Sequence, residues 1–297
     1  MGHPISLTDV AAGQVVKKGP NTSSRLKLGD RVSVFHVSGC HECDDCRMLR
    51  PCSCTLPLDF EKGTGRRAYG WQRDGGHAEY ICCDEQSLVK LPDSLSYLSG
   101  AMIACGYGTA YSGVMKAKVS GHDKVLIIGL GPVGLSVAQI CMKMGASQVH
   151  GVEVVPQRKK DAEQYGIKTF DPSEVDRVIG GNTSLRRGYE VVFDCSGSSQ
   201  ARVLGIEATK RWGRMVFIGG YGNVTIDISP LVIQKQLTML GTWTFSIAEH
   251  EELHRKLVEW KLHPDKLISH TFPIDEAETA YRLFDEGKSN KVAIVFD

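Results

Sequence analysis

Residues 124–134 read KVLIIGLGPVG. Five residues of strand-forming, largely apolar character run straight into a glycine-rich turn. The following PVGLSVAQICMKMGA carries apolar residues at helical spacing, with Pro132 suited to a first helical turn. QVHGVE then reads as a second strand that ends in Glu153. Strand, glycine turn, helix, strand and acid together make the dinucleotide-binding fingerprint in its proper context. Gly129 permits the tight turn, Gly131 lets backbone approach a pyrophosphate, and Gly134 lets the helix pack on the strand. Pro132, Val133 and Gly134 open a helix whose N–H groups and positive dipole end face the phosphates. Glu153 is placed to accept hydrogen bonds from the adenosine ribose and to repel a 2′-phosphate, which favours NAD over NADP. Arg158, five residues on, weakens that preference.

Outward from this turn the alternation continues. IKTF (167–170), EVVFD (190–194), RMVFIG (214–219) and QLTMLGT (236–242) read as strands, with helical stretches at SQARVLGIEATKR and EHEELHRKLVEWKL (249–262). Six strands with intervening helices complete a doubly wound parallel sheet. Its ligands lie beyond the C-terminal strand ends, so Ser196 and Gly219 fall on nicotinamide-side loops. Asp194 reads equally well as part of that loop or as a helix cap.

The stretch before the turn differs. RVSVFHVSGC, HAEYICC and SLVKLP are short β-like runs broken by Gly, Pro and charges, which suggests a β-rich domain. KVAIVFD (291–297) is a strand that follows a helical stretch and returns to that first domain. The organisation expected is residues 1–118, 119–265 as the cofactor domain, and 266–297 returning to the first.

SGCHECDDCRMLRPCSC (38–54) places five of the chain's ten cysteines in one loop. Cys40, Cys43, Cys46 and Cys54 have the spacing C-x2-C-x2-C-x7-C. Four thiolates satisfy zinc tetrahedrally and leave no open position, so such a zinc is structural. An iron–sulfur cluster is the rival, although the bacterial ferredoxin continuation is missing. Cys52 stands as a substitute for Cys54, and unligated cysteines are the bland alternative.

The 297 residues carry a formal net charge of +1, with 42% hydrophobic and 23% charged. No basic block argues for nucleic acid, and no apolar run approaches the ~20 residues of a membrane helix. With no secretory pattern at the start, reduced thiols and a cytoplasmic protein are expected.

Taken in order, these pieces resemble the zinc-containing medium-chain alcohol dehydrogenases, the polyol and threonine dehydrogenase branches above all. They are Gly2-His3, LKLGDRVSV (26–34), the cysteine lobe, GGHAEY (75–80), ACGYGTAY (104–111), GLGPVG, VHGVEVVPQR (149–158), VVFDCSG (191–197), GRMVFIGGYG (213–222) and the stretch 265–292. The resemblance implies a Rossmann cofactor domain beside a GroES-like β-barrel catalytic domain. It implies NAD-linked oxidation of a small alcohol, polyol or ketone, and a homodimer or homotetramer built through the cofactor domain. It also implies a second, catalytic zinc, for which His3 and Cys105, the latter read as part of a Gly-rich strand-end loop, match two ligand positions. Thr109 then approaches the nicotinamide, and Lys291 reaches the pyrophosphate or is a solvated surface lysine. His36 and His77 match cleft-facing loops, where a structural or surface role is the plainer reading.

The resemblance is imperfect at the start. Pro4 stands where the family has Glu, and the segment that carries the first ligand Cys in the family has no counterpart before Met1-Gly2-His3. A partial barrel is therefore expected, with exposed apolar surface. The rival function is a nucleotide-binding protein, incomplete or regulatory, that has lost its catalytic zinc and its activity. A zinc-independent reductase of the quinone-reductase kind ranks below, since that branch generally lacks the four-cysteine lobe.

Overall fold

The computed structural model describes residues 8, 10–56, 65–175, 188–287 and 289–296. It divides into two compact units. One takes the chain up to Gly108 and from Thr244 onward; the other is Thr109–Trp243.

The first unit contains β1 (Ala11–Gln14), β2 (Arg31–Val34), β3 (Val37–Ser38), β4 (Arg67–Ala68) and β5 (Leu88–Lys90). β1, β2 and β5 form an antiparallel sheet with β2 in the middle, and β3 pairs with β4. Phe35, Val37, Ala68 and Phe245 form a buried cluster beside these strands. HAEYICC, expected to be β-like, is irregular in the structure. Side chains tie its end down instead: Arg73 donates to the Cys82 carbonyl at 3.0 Å and to the Asp84 carboxylate at 3.1 Å, and Asp84 N donates to the Tyr69 hydroxyl at 2.9 Å.

The second unit is the sheet read from the glycine turn. Its strands are β6 (Lys124–Ile128), β7 (Gln148–Val152), β8 (Lys168–Phe170), β9 (Tyr189–Asp194), β10 (Thr209–Phe217) and β11 (Thr238–Gly241). All pairs are parallel, in the order β11-β10-β9-β6-β7-β8. Val125, Leu126, Ile127 and Ile128 are all buried. This continuous apolar run is what a strand covered on both faces requires. β10 begins five residues earlier than the apolar pattern predicts, because Thr209 already pairs with Tyr189 before an irregularity restores the register at Arg214.

The chain returns to the first unit through β12 (Ile268–Phe272) and β13 (Lys291–Ile294), which pair in parallel. The units divide at 108/109 and 243/244 rather than at the expected 118/119 and 265/266. The helix Ile247–Trp260 explains the second difference. Its buried face carries His250 and His254, which bond Ser33 of β2, and His254 also bonds the Lys90 carbonyl of β5. Helical periodicity alone does not say which domain a helix packs on.

No helix among the described residues is long and apolar enough to cross a membrane.

Candidate functional site

The glycine turn is built as its residue types demand. Gly129 has φ +90°, and a side chain there would come within 3.0 Å of Ser196. A Cβ on Gly134 would lie 1.9 Å from the Gly129 carbonyl oxygen, so only glycine allows the helix this close to the turn. A Cβ on Gly131 would have one neighbour, an Arg158 guanidinium nitrogen at 3.9 Å. The helix Pro132–Lys143 starts at Gly131 with Pro132 in its first turn and no side-chain cap. A turn with room above Gly131, an uncapped helix start and a cation alongside fits a pyrophosphate. Val133 lies in the same first turn.

Glu153 is buried at the end of β7. Its carboxylate accepts from Leu130 N at 2.8 Å, Val154 N at 2.8 Å and Val155 N at 3.0 Å. It therefore holds the turn in shape, and a carboxylate with about four acceptor sites retains one for a ribose hydroxyl. Asp194, left open between two roles, organises the loop after β9. Its Oδ1 accepts from Ser196 N, the Ser196 hydroxyl and Gly197 N at 2.8–3.1 Å. Gly219 N donates to the Asp194 carbonyl at 2.9 Å, so Ser196 and Gly219 stand on adjacent loops.

In the first unit, the sulfurs of Cys40, Cys43, Cys46 and Cys54 all lie within 4.8 Å of one another. Cys40 and Cys46 sulfurs are 3.9 Å apart. Sulfurs at tetrahedral corners ~2.3 Å from one zinc are about 3.8 Å apart, so the spacing suits a single ion. A polynuclear iron–sulfur core would hold them further apart. The local backbone wraps them. Gly39 is glycine because a Cβ there would lie 2.4 Å from the Cys46 sulfur. The N–H groups of Cys43 and Glu42 donate to the Cys40 sulfur at 3.3 and 3.5 Å and hold its thiol below the usual range. Those of Cys46 and Thr55 bring the Cys43 thiol down to about 6. Burial pushes Cys46 up to about 12 and also raises Cys54. Two thiols are thus predisposed to ionise, while Cys46 and Cys54 need a cation to do so. Cys52 is outside the group: it is buried, and its sulfur contacts the Phe245 carbonyl at 3.7 Å.

Cys105 is not in a strand-end loop, as its glycine neighbours suggest. It sits in a π-helical turn, Ile103–Tyr107, that joins the helix Tyr97–Met102 to the helix Gly108–Ala117. Such turns recur at functional sites because they re-aim side chains within a continuous helix. Thr109 is half-buried in the first turn of the second of these helices. Among the described residues no second group of three or more ligating side chains assembles, around Cys105 or elsewhere. His3 lies outside the described residues.

The other sequence candidates are placed as follows. His36 is buried between Phe35 and Phe245, with ring centroids at 4.9 and 5.7 Å. His77 Nδ1 pairs with the Tyr281 hydroxyl at 3.0 Å, and burial with the charge of Lys291 lowers its pKa. Lys291 opens β13, its ammonium 5.9 Å from the Phe284 ring centre. Sequence reading missed the buried network of the first unit. His250 Nε2 and His254 Nε2 both reach the Ser33 hydroxyl, at 2.7 and 3.1 Å, and His254 Nδ1 reaches the Lys90 carbonyl at 2.9 Å. The carbonyl fixes the proton on His254 Nδ1; Ser33 then donates to His254 and accepts from His250. The i, i+4 histidines were the only available signal.

Residues 2–93 match the alcohol dehydrogenase GroES-like domain, and residues 132–260 match the zinc-binding dehydrogenase domain. The chain is 41% identical to the uncharacterized zinc-type alcohol dehydrogenase-like protein YphC of Escherichia coli K12, over 96% of this chain and 79% of that protein. It is 30% identical to the L-threonine 3-dehydrogenase of Pyrococcus horikoshii, over 99% of this chain and 81% of the relative. Among solved structures, 2R,3R-butanediol dehydrogenase from Bacillus subtilis superposes with a TM-score of 0.81 at 26% identity, covering 99% of this chain and 81% of that one.

Proposed function

The chain belongs to the zinc-containing medium-chain alcohol dehydrogenase family, and from that premise we propose that it is an NAD(H)-linked, zinc-dependent oxidoreductase acting on a small alcohol, polyol or ketone. The observation that carries the reading is the glycine turn, with its uncapped helix start, closed by the Glu153 carboxylate on Leu130 N. The nicotinamide supplies hydride chemistry when bound. The chain's own residues supply its seat: Gly129, Gly131, Pro132, Val133 and Gly134 admit the pyrophosphate beside Arg158, and Glu153 takes the ribose. Ser196 and Gly219 border the nicotinamide half, with Thr109 as its neighbour and Lys291 as a second cation for the phosphates.

Cys40, Cys43, Cys46 and Cys54 hold a structural zinc. Cys105 and His3 are the proposed protein donors at the reacting centre; the described residues gather no complete donor set there. The reading of a nucleotide-binding protein without catalysis is not favoured, since the relatives matched along almost the whole chain include dehydrogenases. A homodimer is proposed through the second unit. Its edge strand β11 leaves one side of the sheet unpaired, and Ile233, Met239 and Trp243 are exposed in and beside it. A cytoplasmic setting goes with ten cysteines and no disulfide among those described.

The test is NADH binding followed by steady-state oxidation of a panel of small alcohols and polyols, with NAD and with NADP. Binding with turnover, and a preference for NAD, are expected. Intact NADH binding with no turnover on any substrate would favour the inactive reading instead.

A further inference from the structure

We propose that Arg202 is a positioning residue for the nicotinamide half of the cofactor site; the inference rests on the dinucleotide reading above. Two loops leave the C-terminal ends of neighbouring strands β9 and β10, on the side of the sheet that takes the second half of a dinucleotide. They touch backbone to backbone. A Cβ on Gly197 would lie 2.1 Å from the Gly220 carbonyl oxygen, and one on Gly222 would lie 2.4 Å from that of Gly197. The same assembly backs onto the pyrophosphate turn, since Ser196 is the residue that a side chain on Gly129 would meet.

Arg202 closes this assembly from the helix Ser199–Ala208. Its Nε donates to Asp194 Oδ2 at 3.1 Å, one terminal nitrogen donates to the Gly222 carbonyl at 2.6 Å, and the other to the Gly219 carbonyl at 2.8 Å. Asp194 is fully buried, and the Arg202 side chain is 12% exposed. An ion pair alone does not explain the geometry. The other carboxylate oxygen already has three donors, and Arg202 spends both terminal nitrogens on the second loop. The fork therefore sets the path of Gly219–Gly222. Within that path Tyr221 adopts φ +64° while 94% exposed. A left-handed non-glycine residue persists where its surroundings over-determine it, and here the two clamped carbonyls flank it. Lysine offers charge without the planar fork, so it does not replace arginine at such a position.

The experiment titrates NADH and AMP into wild type, Arg202→Met and Arg202→Lys, and records the emission of bound NADH. AMP uses only the Gly129–Gly134 and Glu153 side. Wild type binding both is the starting condition; wild type binding neither would overturn the dinucleotide reading, and this proposal with it. The proposal expects both variants to lose roughly tenfold or more in NADH affinity, with a shifted emission of the bound dinucleotide and AMP affinity unchanged. Arg202→Lys keeps a cation beside Asp194 and so guards against a variant that fails to fold. NADH affinity in Arg202→Lys equal to wild type, or equal losses for NADH and AMP, would overturn the proposal while leaving the dinucleotide reading intact.

Discussion

The cysteine lobe and the Cys105 turn belong to the same unit and teach opposite lessons about how a site is built. The lobe takes all four sulfurs from residues 40–54, and local backbone does the rest: one short helical turn, Asp44–Arg47, a glycine at 39 and N–H groups aimed at sulfur. Cys105 is one proposed donor on a π-helical turn, and the described residues gather no group of three ligating side chains around it. A site made by one loop is complete once that loop folds. A site assembled from several elements exists only as well as those elements are held together. The glycine turn of the second unit lies between the two, closed by Glu153 from the end of β7, and the Ser33–His250–His254 network is of the second kind, its partners lying 217 and 221 residues apart.

This contrast can be broken at several points. The largest effect is expected from Gly134→Ala. The added methyl meets the Gly129 carbonyl oxygen at 1.9 Å, so turn and helix must separate, at a cost of about 3 kcal/mol or more in stability. NADH affinity should fall by about a hundredfold, read by titration, while the metal content per chain stays that of wild type. If Gly134→Ala binds NADH normally, the turn is not the cofactor's seat.

Acid should act on the dispersed network. Burial lowers the pKa of His250 well below its ordinary value and that of His254 to about 4. The unfolded chain therefore binds protons that the folded chain refuses. Stability contributed by neutral His254 is fully present above about pH 6.5 and is lost as pH falls through about 4, a span of roughly 3 kcal/mol. Urea midpoints measured from pH 7.5 to 4.5 should fall accordingly, and His254→Gln should show a smaller decline. A pH dependence unchanged in that variant would contradict the buried neutral assignment. The smallest effect is expected from Glu153→Gln. It turns one acceptor into a donor facing a backbone N–H, and should cost about 1–3 kcal/mol and weaken the preference for NAD over NADP in a competition assay.

The same contrast explains what could be read in the sequence. β6 was legible to the residue, because a doubly covered strand needs an unbroken apolar run and the glycines that follow have few other uses. The lobe was legible because its spacing is itself the geometry. HAEYICC misled, since alternating apolar residues also occur in a loop pinned by Tyr69 and Arg73 side chains. Cys105 misled because glycine neighbours suggest a loop, while the chain there stays helical through the π turn. Arg202 was invisible: its three acceptors lie 8–20 residues away, at the end of β9 and in the loop after β10, and nothing in its immediate neighbours marks it. The helix Ile247–Trp260 was recognised, but its partner was not, because Ser33 selects it through contacts that no local pattern encodes.

The central claim is that the lobe holds its metal by itself, independently of Cys105. The direct measurement is metal content per chain after a chelator wash, for wild type, Cys43→Ser and Cys105→Ser. One retained zinc is expected in wild type and in Cys105→Ser, and none in Cys43→Ser. Retained iron in place of zinc, or loss of the tightly held metal in Cys105→Ser, would contradict it.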